Sequence, residues 1–172
     1  MRNLAKRTSL RRHRSWRFRP ELSQCARKPN ALEDREAVNH LDHAILVARS
    51  AHEGQFDKTG RSYFEHCRRV AAALEDKTGK VVAYLHDVVE KGTGWTLDRL
   101  REEGFPPDIV GEVDATTRRT DEEWEVFVRR AASNPTAYPV KRADLEDNLS
   151  QVQTIGENGE KYPRALRLIS EF

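Results

Sequence analysis

The chain has 172 residues, enough for one domain with its own core. No apolar run approaches the roughly 20 residues that cross a bilayer, which speaks against a membrane protein. The N-terminus lacks the apolar stretch of a secretory signal. The two cysteines, Cys25 and Cys67, read as free thiols of a reducing cytoplasm and not as a disulfide framework.

The net charge of +2 hides an asymmetry. Residues 1–30 hold ten Lys/Arg against one acid, Glu21, which leaves residues 31–172 with twenty bases, twenty-seven acids and a net charge of about −7. Residues 1–32 show no sustained periodicity. They are expected to be a disordered basic extension, although such a charge could also meet RNA or anionic lipid. The acidic remainder, residues 33–172, gives no reason to expect a specific nucleic-acid partner.

Within that remainder Val38, Leu41, Ile45 and Ala48 recur at spacings of three and four, predicting a helix over Asp34 to Glu53. Gly54 and Gly60 bracket a polar loop. A second helix covers Tyr63 to Glu75, with Phe64, Cys67, Val70, Ala71 and Leu74 as its buried stripe, and Lys77-Thr78-Gly79 is a tight connection. The third, Lys80 to Lys91, is apolar on more than one side and so belongs at the centre; Gly92 and Gly94 end it. Thr96 caps a short helix running to Glu102, and Pro106-Pro107 open another with Ile109, Val110 and Val113 inward. Thr120 and Glu123 form a capping box ahead of Trp124, Phe127, Val128 and Ala131, and Asn134-Pro135 stops that helix. Helices over Ala137 to Gln151 and Lys161 to Ser170 complete an all-α domain without hairpins or repeats.

The chemistry concentrates on the central helix. His86-Asp87 places a carboxylate beside an imidazole in apolar surroundings, which is costly unless the charge is paired or bound to a cation. On a continuous helix Glu90 shares a face with both. His66 lies on the preceding helix, which an antiparallel hairpin brings near, and Asp144 lies on a later one, with Asn148 four residues on. Singly, His66 reads as a surface histidine and Asp144 as part of a solvated charged face. Together, two imidazoles and two carboxylates suit manganese, iron or zinc better than calcium or magnesium. His52 continues the apolar face of the first helix and reads as a core or rim histidine, while His40 and His43 read as exposed. Lys58 and Arg61 in the polar loop could meet phosphate. No glycine-rich phosphate loop and no supported Ser-His-Asp or Cys-His arrangement is present.

Ala51-His52-Glu53-Gly54-Gln55 through Lys58-Thr59-Gly60 to Tyr63-Phe64-Glu65-His66 resembles the opening of the (p)ppGpp hydrolase domain of the RelA/SpoT family. Tyr84-Leu85-His86-Asp87-Val88-Val89-Glu90 resembles its His-Asp helix. Val113-Asp114-Ala115-Thr116-Thr117-Arg118 resembles the end of the helix after that. Val140-Lys141-Arg142-Ala143-Asp144 with Asn148 is similar to its last metal-binding segment. The resemblance spans residues 40–150 and implies a single-domain HD helical bundle. It implies Mn²⁺ held by His66, His86, Asp87 and Asp144, and Glu90 as the group that handles the attacking water. It places Lys58, Tyr63, Lys141 and Asn148 at or near positions that bind the nucleotide or shape its pocket. The implied reaction removes pyrophosphate from the 3′ position of a guanosine alarmone. The implied enzyme is cytoplasmic, a monomer or small homo-oligomer, whose partner is a small phosphorylated nucleotide.

Three positions depart from the family pattern. Lys91 replaces a second acid, Asp57 replaces the arginine that stacks on guanine, and Asp147 stands where histidine is common. Asp57 is expected to weaken purine stacking and repel phosphate. Two other readings stay open: an HD hydrolase of another phosphorylated nucleotide or small phosphoester, and a nucleotide-sensing module of little or no turnover.

Overall fold

The computed structural model describes residues 31–171, and side chains from His40 onward. The basic segment and Cys25 therefore lie outside the described residues, apart from Ala31 and Leu32, which begin the first helix. In chain order the helices are α1 (Ala31–Ala51), α2 (Tyr63–Ala72), α3 (Lys77–Leu85), α4 (Val88–Lys91), α5 (Leu97–Glu102), α6 (Pro107–Thr116), α7 (Trp124–Ala132), α8 (Ala137–Ile155) and α9 (Lys161–Ile169). An isolated antiparallel bridge between Phe56 and Ser62 closes the polar loop. Among the described residues no helix is long and apolar enough to cross a membrane.

The helices pack around two apolar clusters. The larger joins Ala44, Val47 and Ala48 of α1, Phe64 and Val70 of α2, Val81, Val82 and Leu85 of α3, and Ile109, Val110 and Val113 of α6. The smaller joins Val128 and Ala132 of α7, Leu145 and Val152 of α8, and Tyr162, Ala165 and Ile169 of α9. Helix α8 serves both, because Val140 and Ala143 face the first cluster and Leu145 and Val152 the second. Helix α3 contacts α1, α2, α6 and α8, so its many-sided apolarity is that of a central helix. Each fully buried Leu or Val here contributes about 1.5–3 kcal/mol relative to exposure.

Several local expectations are corrected. Lys77-Thr78-Gly79 is no connection but the first turn of α3, because the Asp76 side chain accepts from the Gly79 N–H and starts the helix early. The capping box at Thr120 does not form. Helix α7 starts at Glu123 without a side-chain cap, and the preceding turn is instead fastened by Glu122, which pairs with Arg130 at 2.7 Å and accepts from the Arg119 N–H. Burial costs Glu122 little against that guanidinium, and its carboxyl falls to about 2. His43 is half-buried and not exposed, stacked on Phe105 at 4.9 Å and bonded to Glu103; His40 is half-buried too. Helix α8 runs one turn past Gln151, to Gly156, whose φ of 71° gives the left-handed C-terminal cap.

The correction that bears most on the site is a break in the central helix. Residues 80–91 do not form one rod: α3 ends at Leu85, His86 and Asp87 form a turn, and α4 follows. Gly92 closes α4 tightly, since a Cβ there would lie 2.6 Å from the Val88 carbonyl oxygen.

Candidate metal centre and cleft

Helix α2 supplies His66, the turn after α3 supplies His86 and Asp87, and α8 supplies Asp144. All four are buried. One ligand atom from each of His66, His86 and Asp87 falls within 4.8 Å of the others. Asp144 Oδ1 lies 3.3 Å from His66 Nε2 and 3.6 Å from His86 Nε2. Asp87 Oδ2 lies 3.1 Å from His86 Nε2 and 3.7 Å from His66 Nε2.

Each imidazole is oriented from behind. His86 Nδ1 donates to the Ala83 carbonyl at 2.7 Å, and His66 Nδ1 donates to Asp147 Oδ2 at 2.7 Å. Both Nε2 atoms then point to the centre, buried and without a hydrogen-bond partner among the described residues. Two buried Nε2 atoms facing two carboxylates form a donor set that fits a divalent cation, which takes the place of the imidazole protons. The charges agree. Burial favours neutral groups, yet the Asp144, Asp147 and Asp87 carboxylates outweigh it and raise His66 to about 10. Asp87 and Asp144 likewise raise His86 to about 9. Burial similarly opposes ionisation of Asp87 and Asp144, but both are held well below the carboxylate range, Asp87 chiefly by His86 and Lys91, Asp144 chiefly by Lys141 and His66. Such a field calls for positive charge at its centre, supplied by protons or by a metal.

A layer of side chains behind the cluster had no counterpart among the candidates read from sequence. Asp147 accepts from Arg69 Nε at 2.6 Å and Gln151 Nε2 at 2.6 Å as well as from His66. Arg69 also reaches Asp57 at 2.9 Å. Asp57 in turn accepts from the Thr59 and Arg61 N–H groups and the Thr59 hydroxyl. Its side chain is 1 % exposed. Asp57 is therefore turned inward as the organiser of the loop, with its charge answered by Arg69. The expectation that it repels phosphate is corrected on that ground. Arg69, three residues after His66, was the available signal, since it must share that helix face.

The remaining candidates divide by what they touch. Tyr63 donates its hydroxyl to Asp87 Oδ2 at 2.5 Å. Lys141 is buried and pairs with Asp144 Oδ2 at 2.8 Å, and Asn148 Nδ2 donates to Asp144 Oδ1 at 2.6 Å. Lys58 is exposed, bonds Asn148 Oδ1 and lies 5.7 Å from the Tyr162 ring centre. Arg61 holds the loop through its backbone, and its exposed side chain makes no contact with the cluster among the described residues. Glu90 does not join His86 and Asp87. Beyond the break it is exposed and accepts from the Arg118 N–H at 3.0 Å, while Lys91 reaches Asp87 at 2.6 Å. Glu90 instead lines a cleft of about 700 Å³ with Val89 and residues Thr117 to Asp121. Within α4, Lys91 thus pairs with the cluster and the adjacent Glu90 lines the cleft beside it.

An all-α bundle with a buried His-Asp cluster is the class these features define. In sequence, the chain is similar to the guanosine-3′,5′-bis(diphosphate) 3′-pyrophosphohydrolase of Haemophilus influenzae, at 31 % identity over 123 residues, 64 % of this chain and 18 % of that protein. The chain therefore spans less than a fifth of that relative's length. In fold, it is similar to a metazoan ortholog of SpoT, described as hydrolysing ppGpp and acting in starvation responses. The TM-score is 0.60 and the identity 24 %, over 84 % of this chain and 85 % of the other. No family model matches the chain. The RelA/SpoT resemblance carried by the motifs is thus met again by a relative in sequence and a neighbour in fold.

Proposed function

We propose that the chain is a Mn²⁺-dependent phosphohydrolase that releases pyrophosphate from the 3′ position of a (p)ppGpp-type nucleotide. The observation that carries this reading is the pair of buried, unpartnered Nε2 atoms on His66 and His86, facing Asp87 and Asp144. His66, His86, Asp87 and Asp144 would hold the ion, and two imidazoles with two carboxylates favour a transition metal such as manganese. When bound, the ion supplies Lewis acidity to a phosphoryl oxygen and to water.

The chain's own groups supply the rest. Glu90, exposed at the cleft and anchored by the Arg118 N–H, orients the attacking water and takes its proton. Lys58, at the open side of Asn148, neutralises phosphate charge, with Arg61 further along the same loop. Tyr63, Lys141 and Asn148 act through the two carboxylates they hold, fixing the shape of the pocket. The similar H. influenzae protein is named for this reaction, which supports the choice of substrate. We place the enzyme in the cytoplasm, as a monomer or small homo-oligomer acting on a small nucleotide.

The test is incubation of purified protein with Mn²⁺ and ppGpp while GDP and pyrophosphate are followed, with His86→Ala/Asp87→Ala protein as control. Release by the wild type that is absent from the control is expected. No release from protein with stoichiometric Mn²⁺ bound would remove the alarmone as substrate.

A further inference from the structure

Two lysines pair with the two carboxylates of the cluster, and they do so at different oxygens. Lys141 takes Asp144 Oδ2, leaving Oδ1, the oxygen near both imidazoles, to Asn148 and the centre. Lys91 takes Asp87 Oδ2, which is itself the oxygen near both imidazoles. That oxygen also accepts the Tyr63 hydroxyl, whose own oxygen accepts from Lys91 Nζ at 2.6 Å. A carboxylate oxygen offers about two lone-pair sites; here the Tyr63 hydroxyl takes one, and the Lys91 ammonium pairs with the same oxygen at 2.6 Å. A cation can engage Asp144 Oδ1 without disturbing Lys141, whereas at Asp87 Oδ2 it meets the Lys91 ammonium. The ammonium is the donor it repels.

We propose that Lys91 is a displaceable cation. It occupies the metal's place on Asp87, and with an ion bound there its ammonium would be free to pair with the phosphoryl group of the substrate. This deepens the metal-centre reading and rests on it. The surroundings suit the movement. The Lys91 side chain is 39 % exposed against 10 % for Lys141, and its stem is flexible. Its backbone is steadied by Gln55, which donates to the Lys91 carbonyl at 2.8 Å. A residue that replaces an acid in the family pattern thereby becomes a phosphate ligand whose availability depends on the metal.

The experiment compares the wild type with Lys91→Met and Lys91→Gln, both neutral at an accessible position, by calorimetric titration of Mn²⁺ into metal-free full-length protein. Phenylphosphonate, a phosphoryl anion that resists hydrolysis, is then titrated into each Mn²⁺-saturated protein. Both variants should bind Mn²⁺ more tightly by about tenfold or more, because no ammonium competes with the ion for Asp87. Both should bind phenylphosphonate more weakly by a similar factor. Unchanged or weaker Mn²⁺ binding in both variants would overturn the displacement. Tighter Mn²⁺ binding with unaltered phenylphosphonate affinity would overturn the delivery to phosphate. If no protein, wild type included, binds Mn²⁺, the metal-centre reading fails and the proposal with it. The first two outcomes leave that reading standing.

Discussion

Asp144 and Asp87 face the same two imidazoles, yet the protein builds their surroundings in opposite ways. On the Asp144 side everything is anchored within or against α8. Lys141 lies one turn before it, its ammonium 4.4 Å from the Phe127 ring centre, Asn148 lies one turn after, and Asp147 locks His66 from behind. On the Asp87 side the helix has broken, the flanking lysine is partly in solvent, and Glu90 hangs over an open cleft. The difference separates two tasks. A wall that holds an ion must keep its ligands in place before the ion arrives, which burial and full hydrogen bonding accomplish. A wall that meets a substrate must offer charges that can move, and those have to stay wet. The break after Leu85 lets one short segment do both, by giving Asp87 to the centre and Glu90 to the cleft.

The strongest way to break this comparison is to neutralise the open wall. Glu90→Gln should lower turnover of the alarmone by about a hundredfold or more, the scale of a lost general base. Its Mn²⁺ affinity should remain that of the wild type, since Glu90 touches none of the four candidate ligands. A variant with full turnover would show that the cleft side performs no proton transfer, and the division of labour would collapse.

The closed wall answers to a different substitution. Asp147→Asn keeps the shape but removes the charge that orients His66 and balances Arg69. Loss of such a partner behind a metal ligand typically costs 10–100-fold in affinity. Asp147→Asn should therefore weaken Mn²⁺ binding by about that factor in a calorimetric titration. Affinity equal to the wild type would mean that Asp147 serves only to pack Arg69.

How far these walls could be read from residues alone depended on whether a feature is local. Helical periodicity located nearly every helix, because an apolar stripe at spacings of three and four is a property of a few consecutive turns. His66, His86, Asp87 and Asp144 were legible as a set from residue chemistry and order. The break at His86–Asp87 was not, since neither glycine nor proline marks it. It is accompanied by two local contacts, His86 Nδ1 to the Ala83 carbonyl and Lys91 to Asp87, and by one tertiary bond, Tyr63 to Asp87. Asp57 was misjudged for the same reason: its partner Arg69 is twelve residues away on another element. Asp147 stands out in the sequence as a departure from the family pattern, but its bond to His66 spans 81 residues and only the packing of α2 on α8 creates it.

The smallest expected effect is one of pH, and it sharpens the claim that the closed wall is a cage for positive charge. In metal-free protein His66 and His86 titrate at about 10 and about 9, above the ordinary imidazole value, because neighbouring carboxylates outweigh burial. Groups held protonated by the fold stabilise it fully below their unfolded value of about 6.5, and that contribution is lost as pH rises through the folded values. Melting of the protein in EDTA should thus move to lower temperature as pH rises from about 6.5 to about 10. With Mn²⁺ present the decline should be shallower, because the ion replaces the protons and binds more readily once they have left. The gap between the two melting curves should widen with pH. A metal-free melting temperature that stays level to about pH 10 would mean that the imidazoles hold no extra protons. The field inferred from Asp87, Asp144 and Asp147 would then be too weak to favour a dication over water.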